Sequence, residues 1–263
     1  MKVTIIIPVF NEKESLPDLF EELKINLNLY EKWEVIFIDD GSSDGSTEFL
    51  IKASEENDNF KIIQFYRNFG KSAALNEGFK MASGDYIITM DADLQDDPKE
   101  INNFIKKIDE GWDLVSGWKR IRLDPLNKRL PSKVFNFVTS FVSGVKIHDF
   151  NCGIKGYKKS VVKSLEIYGG RHRYIPAIAG QKKFKITEIV VNHRSRKFGE
   201  TKYGGSRIFH GFFDLITILF LNKYTQQPLH LFGSLGVFFS LSGIITEFFV
   251  LYYKYNLLNI FFN

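Results

Sequence analysis

The chain has 263 residues, 44% of them hydrophobic and 25% charged, a composition that excludes a disordered protein and can bury one large core or two smaller ones. Its single cysteine, Cys152, excludes an internal disulfide and a cysteine metal cluster and fits a reducing compartment. A net charge of +4 hides an asymmetry in Lys plus Arg against Asp plus Glu: 12 against 24 in residues 1–117, 21 against 5 in 118–207, and 2 against 2 in 208–263.

The first run, "VTIIIPVF", follows one lysine and is too short and too quickly acidic for a secretory signal. It reads as a strand, Val3 to Val9. Ser15 is placed to cap a helix over "LPDLFEELKINL", Trp33 to Asp39 forms the next strand, and "GSSDGS" supplies caps and turn residues before "TEFLIKASEEN". Strands over Phe60 to Phe65 and Tyr86 to Met90 continue the alternation, which predicts an α/β domain with a mostly parallel sheet.

Such sheets bind ligands outside the carboxyl ends of their strands. Three polar groups fall there: "PVFNE" (Pro8 to Glu12), "DDGSSDG" (Asp39 to Gly45) and "DADLQ" (Asp91 to Gln95). Neither G-x-G-x-x-G nor G-x-x-x-x-G-K-[ST] follows any of these strands, which disfavours a dinucleotide or P-loop site. In "YIITMDADLQDDP" the acids Asp91, Asp93, Asp96 and Asp97 crowd one turn. Mutual repulsion disfavours this unless solvent, a basic neighbour or a hard divalent cation compensates it. Asp91 and Asp93, directly at the strand end, point to the cation; Asp96 and Asp97, beside Pro98, are expected to cap a helix and be solvated.

The basic middle segment calls for an anionic partner: nucleic acid, a phosphorylated ligand or an anionic membrane surface. The tail favours the membrane. No Lys or Arg occurs between Lys223 and Lys254, and Leu229 to Tyr253 is long enough to cross a bilayer, with Glu247 as its one acid. Before it, Ser206 to Leu221 puts Arg207, His210, Asp214 and Thr217 on one helical stripe, the pattern of an interfacial amphipathic helix. Basic residues crowd the N-terminal side of the span, which places the large domain in the cytoplasm.

The runs "IIIPVFNE", "VIFIDDGSSDGS" and "RNFGKSAALNEGFKMASGDYIITMDADLQDDP" resemble a family 2 glycosyltransferase of the GT-A fold. The likeness continues through "GWKR", "DFNCGIKGYKKS" and "RKFGETKYGGSRIF", which are similar to the polyprenyl-phosphate hexose synthases. It implies a GT-A catalytic domain over 1–205, with a nucleotide-sugar-binding half (1–117) and a basic acceptor-binding half (118–205). An interfacial helix (206–222), a transmembrane helix (228–254) and a tail (255–263) too short to cross again would follow, where many members of the group have two or more spans.

By the same resemblance, Pro8, Phe10, Glu12, Asp39, Asp40, Lys71 and Asp91 would bind the nucleotide sugar, with Phe10 standing where tyrosine is commoner. Asp91, Asp93 and Gln95 match the family's metal motif, in which Mg or Mn bridges the diphosphate. The implied reaction moves a hexose from a donor of the GDP-mannose or UDP-glucose type to a membrane polyprenyl phosphate. That acceptor is already anionic, so the site needs positioning cations more than a strong base. Arg120, Arg122 and Arg129, with Ser132, Arg196 and Lys202, are the acceptor-phosphate candidates, Arg being suited to bidentate contact. Asp149 would orient the acceptor or neutralise an arginine, and His148 beside it reads as a packing or surface residue. Direct attack by the lipid phosphate would invert the anomeric carbon.

Three rival readings are weaker. A sugar-hydroxyl acceptor would bring the Q-x-x-R-W motif of processive synthases, which is absent. A membrane-anchored nucleic-acid-binding module leaves the acidic strand ends unexplained, and a silent scaffold would not need the complete DADLQ set. The sequence leaves base, sugar, prenyl length and any homo-oligomeric state open.

Overall fold

The computed structural model describes residues 1–120, 126–195, 197–198 and 228–261, and of 126–131, 134 and 256–261 only the backbone. Arg122, Arg196, Lys202 and the expected interfacial helix over 206–222 lie outside the described residues, as does the side chain of Arg129. The chain divides into two compact units, Met1–Asp214 and Leu215–Asn263.

The first unit is built on a seven-stranded sheet of β1 (Lys2–Val9), β2 (Lys32–Asp39), β3 (Phe60–Gln64), β4 (Tyr86–Thr89), β5 (Leu114–Trp118), β6 (Lys155–Lys158) and β7 (Ile186–Val190), in the order β3-β2-β1-β4-β6-β5-β7. All pairings are parallel except the two made by β6, which runs antiparallel to β4 and β5. β1 and β2 read as largely apolar runs, interrupted inside only by Thr4 and Glu34, because both faces of the sheet are covered. Ile5 and Ile7 pack on the side of α1 (Leu16–Leu27) and α4 (Ile101–Asp109). Ile6, Ile36 and Ile38 pack on the side of α3 (Lys71–Met81). Also in this unit are α2 (Ser46–Glu56), α5 (Leu126–Ser143), α6 (Lys159–Ser164) and α7 (Ile175–Gln181).

Ser15 does occupy the N-cap position of α1, but its hydroxyl donates to the Glu12 carbonyl at 2.9 Å and makes no capping bond. The expected cap is therefore replaced by a turn that ties the helix start to the loop after β1. In the next connection α2 starts at a glycine cap, Gly45, with no side-chain capping bond, and Asp44 just before it accepts from the Ser46 amide at 2.9 Å.

At the amino edge of the sheet, buried Glu34 accepts from Thr4 Oγ1 (2.7 Å), Lys61 Nζ (2.8 Å), Lys2 Nζ (3.0 Å) and the Ser83 amide (2.9 Å). Burial would raise this carboxyl, but Lys61, Ser83 and Thr4 hold it well below the usual range. Glu34→Ala leaves those donors without their acceptor, so stability should fall by about 3 kcal/mol. A shifted urea midpoint with unchanged ligand binding at the opposite edge is the expected result.

Among its described residues the second unit is a long helix, Pro228–Phe261, of which Pro228–Tyr255, 28 residues, is long and apolar enough to cross a membrane. At 1.5 Å per residue it spans about 42 Å, against about 30 Å of bilayer hydrocarbon. The helix does not stop at Lys254: the segment read as a separate tail continues it to Phe261.

Candidate active site

The chain connects β1 to β2 on one side and returns through α3 to β4 on the other, so the strand order reverses between β1 and β4. A crevice opens at such a switch point, at the carboxyl ends of the strands. Because β6 is antiparallel, its entrance, Asn151 to Ile154, lies at this same edge.

The loops after β1 and β2 are stitched together. The Asn11 amide donates to Ser42 Oγ at 2.9 Å, the Ser43 amide to Asn11 Oδ1 at 2.8 Å, and the Glu12 amide to Ser46 Oγ at 3.0 Å. Asn11 has φ 53°, a left-handed conformation that asparagine tolerates. Pro8, Phe10 and Glu12 are half-buried along this rim.

Asp39 is fully buried, accepting from the Ser42 amide at 3.0 Å and from the Thr47 hydroxyl, so one oxygen holds the DDGSSDG loop and the other the first turn of α2. Asp40 accepts from the Phe69 amide (2.7 Å) and the Gly70 amide (2.9 Å), which anchors the chain just before α3. Burial, with Asp39 beside it, pushes the Asp40 carboxyl up despite those two amides. Gly41, at φ +73°, permits this approach, since a Cβ there would lie 2.5 Å from the Arg67 carbonyl carbon.

In the acidic turn after β4, three of the four carboxylates, Asp91, Asp96 and Asp97, are each met by one of the protein's own cations. Lys71 Nζ sits on Asp91 Oδ1. Lys119 Nζ lies 3.1 Å from Asp96 Oδ1, and Arg194 Nη2 lies 2.7 Å from Asp97 Oδ1. Burial alone would raise the Asp91 carboxyl; Lys71, Lys119 and Lys155 bring it down to about 2, so it is ionised throughout the neutral range. Burial would lower the Lys119 ammonium, and Asp96 and Asp91 reverse that strongly.

The expectation that Asp96 is a solvated cap is overturned. Its side chain is fully buried, and its Oδ2 accepts from the Asp91 amide at 3.1 Å. Asp97 does cap the 3-10 turn Pro98–Glu100, accepting from the Lys99 amide at 3.0 Å, but it is buried as well. Asp93 is buried and accepts from the Gln95 amide at 3.2 Å. Between them Leu94 has φ 61°, a strained conformation for a bulky residue. The segment after β7 clamps the turn from outside through an Asp96 to His193 bridge and an Arg194 amide donating to the Gln95 carbonyl at 3.1 Å.

From the other half of the sheet, Gly153 packs directly on the acids: a Cβ there would lie 2.5 Å from Asp91 Oδ2 and 2.8 Å from Asp96 Oδ2. Beside it, buried Lys155 donates to the Cys152 carbonyl. Burial lowers the Lys155 ammonium and pushes the Cys152 thiol up to about 12. A cavity of about 20 Å³, with Lys71, Thr89, Lys155 and His172 facing the apolar Leu75 and Ile175 in its lining, has room for one water. His172 Nδ1 lies 2.9 Å from Ser72 Oγ, and burial holds its imidazole well below the usual value.

The acceptor candidates are less concentrated. Arg120 is exposed and lies 5.9 Å over the Trp118 ring. Trp118 in turn stacks on His148, which pairs with Glu188. Asp149 is buried and accepts from the Asn151 amide at 3.2 Å, leading into the NCG turn. Ser132 is half-buried on α5. The sequence reading missed Lys119, Lys155, Arg194 and Gly153 as site residues. All but Arg194 fall in its quoted runs "GWKR" and "DFNCGIKGYKKS", but only the sheet order brings them to Asp91 and Asp96.

Among the described residues no three His, Cys, Asp or Glu side chains form a metal cage. Asp91 and Asp93, two hard carboxylates in one turn, suit an Mg-type ion, which is commonly held by one or two carboxylates and completed by substrate phosphates and water.

A family model described as "Glycosyl transferase family 2" matches residues 4–166. The chain belongs to glycosyl transferase family 2. Similarity to two relatives extends over most of the chain. It is 37% identical over 243 residues to the dodecaprenyl-phosphate galacturonate synthase of Rhizobium johnstonii, covering 90% of this chain and 72% of that one. It is 38% identical over 244 residues to the undecaprenyl-phosphate 4-deoxy-4-formamido-L-arabinose transferase of Salmonella choleraesuis, covering 92% and 73%. The fold is that of glucosyl-3-phosphoglycerate synthase from Mycobacterium tuberculosis, crystallised with Mn2+, uridine diphosphate and phosphoglyceric acid, at TM-score 0.65 and 15% identity over 84% of this chain and 78% of that one. This family 2 protein is a glycosyltransferase, and the acidic turn at the β1/β4 crevice is its candidate active site.

Proposed function

We propose that this enzyme transfers a sugar from a nucleotide-diphosphate donor to a membrane polyprenyl phosphate, with inversion at the anomeric carbon. One observation carries the reading: the strand-end carboxylates Asp91 and Asp93 sit at the switch-point crevice of a chain that also contains a membrane-length apolar helix. The relatives named for dodecaprenyl- and undecaprenyl-phosphate products support the acceptor class.

In this reading the bond from the anomeric carbon to the diphosphate oxygen breaks as a lipid-phosphate oxygen bonds to the opposite face of that carbon. Asp91 and Asp93, with Gln95, would hold a divalent cation that supplies Lewis-acid stabilisation to the leaving diphosphate. Lys71 brings a positive charge to the same point from the start of α3. The rim of Pro8, Phe10, Glu12 and Asp40 would hold the nucleoside, with Asp40 also fixing the loop that carries Lys71. Arg120 and the other cations of the 118–205 segment would bind the acceptor phosphate. The membrane helix would tether this domain at the cytoplasmic face, where the basic residues preceding the span favour it.

The test is a donor screen of the purified full chain with a short polyprenyl phosphate and UDP-glucose, UDP-galacturonate or GDP-mannose, read as sugar-lipid by mass spectrometry. Formation of one sugar-phosphoryl lipid is expected. Sugar transfer only to hydroxyl acceptors would refute the acceptor assignment.

A further inference from the structure

Among the described residues, Asp91, Asp96 and Asp97 of the acidic turn each pair with a cation, and these three pairs are not equivalent. Lys119 and Asp96 have side chains only 14% and 0% exposed, and Asp97 is held by Arg194, which also grips Glu22 at 2.7 Å. These pairs are built into the scaffold. Lys71 and Asp91 are 26% and 32% exposed, so this pair alone of the three meets the crevice with both partners. Its lysine occupies an oxygen of the carboxylate that the proposed reaction assigns to a divalent ion.

We propose that Lys71 is a charge-exchange residue: without substrate it occupies Asp91 in place of the divalent cation, and when a nucleoside diphosphate brings that cation in, Lys71 moves to the diphosphate. The inference rests on the reading that Asp91 and Asp93 bind the cation. An ammonium and a divalent ion repel one another strongly within a few ångströms, so both cannot share Asp91 Oδ1. The arriving diphosphate supplies the anion that lets the ammonium leave without losing a partner.

The local structure permits this exchange at the side chain alone. Lys71 is the first residue of α3, and the backbone before it is fixed by the Phe69 and Gly70 amides on Asp40. Its four-carbon stem can therefore swing while its Cα stays in place. Asp96 and Asp97 keep their own cations throughout, so the turn holds its shape while Asp91 changes partner.

The consequence is a coupling between two ligands. Displacing Lys71 weakens the binding of the cation alone, and a diphosphate that accepts Lys71 removes that penalty, so cation and nucleotide strengthen each other reciprocally. Lys71→Met keeps the apolar stem and removes the charge. It should bind Mn2+ in the absence of nucleotide about tenfold more tightly than the wild type. It should also gain less from UDP or GDP than the wild type does, keeping only the part that direct diphosphate coordination of the ion supplies, whereas Lys71→Arg should retain the wild-type enhancement.

Mn2+ binding to the full-length chain in detergent, measured by electron paramagnetic resonance with and without UDP or GDP, reads these affinities independently of turnover. Circular dichroism on each variant checks the fold. Lys71→Met binding Mn2+ no more tightly than the wild type, or with the same nucleotide enhancement, would overturn the exchange and leave the cation site standing. Absence of Mn2+ binding in every variant, with and without nucleotide, would remove the cation site and the exchange together.

Discussion

Replacing Asp93 with asparagine should lower turnover about a thousandfold while leaving the domain folded. Asp93 is buried in the turn, where its Oδ1 accepts from the Gln95 amide at 3.2 Å. Asparagine keeps that oxygen and the shape of the side chain, so the left-handed Leu94 retains its support and the core is untouched. What disappears is one negative charge where the divalent ion is proposed to sit. Transfer assays with matched thermal melts separate the two effects: a large rate loss with a melting temperature near that of the wild type is expected. Activity should also vanish with excess chelator and return with Mg or Mn. Full turnover of the variant, or of the wild type in excess chelator, would rule out a metal role for this turn.

The elements that the sequence revealed best are those whose burial leaves no alternative. β1, β2 and β4 fall within a residue of their expected bounds because each is a mostly apolar run buried on both faces and closed by polar loop residues. Spacing puts Ser15 at the cap position, but its hydroxyl has a closer acceptor in Glu12, a choice made by loop geometry that no spacing rule encodes. In the sequence the acidic turn stands out as a charge that has to be compensated, for which a cation is the expected answer. In the folded chain the compensation already exists, from Lys71 on α3, Lys119 after β5 and Arg194 after β7. Those residues are 20, 23 and 97 positions from their partners, so the pairing follows from the strand order and is invisible in local sequence. Asp96 looks like a cap in the sequence for the same reason: nearby Pro98 signals a helix start, while the cation that pairs with it comes from the end of β5.

Gly153→Ala is the most demanding test of that convergence. The added methyl carbon would lie 2.5 Å from Asp91 Oδ2, 2.7 Å from Asp91 Cγ and 2.8 Å from Asp96 Oδ2, closer than atoms tolerate. Neither carboxylate can retreat freely, since Asp91 is paired with Lys71, and Asp96 is fixed by Lys119 and by the Asp91 amide. Gly153 is not in the left-handed region, so alanine brings steric pressure without backbone strain. Overpacking of this kind costs about 1–3 kcal/mol of stability. Displacing Asp91 by about an ångström should cost roughly a hundredfold in transfer rate. Gly111→Ala provides the contrast: that glycine has φ +102° and nothing within 4 Å of its would-be Cβ, so alanine strains the backbone at the turn after α4 and touches no site residue. It should lose about 1 kcal/mol of stability with its transfer rate unchanged. If instead both variants lost stability and rate in proportion, or Gly153→Ala kept the wild-type rate, the contact between the NCG turn and the acidic turn would have no part in the reaction.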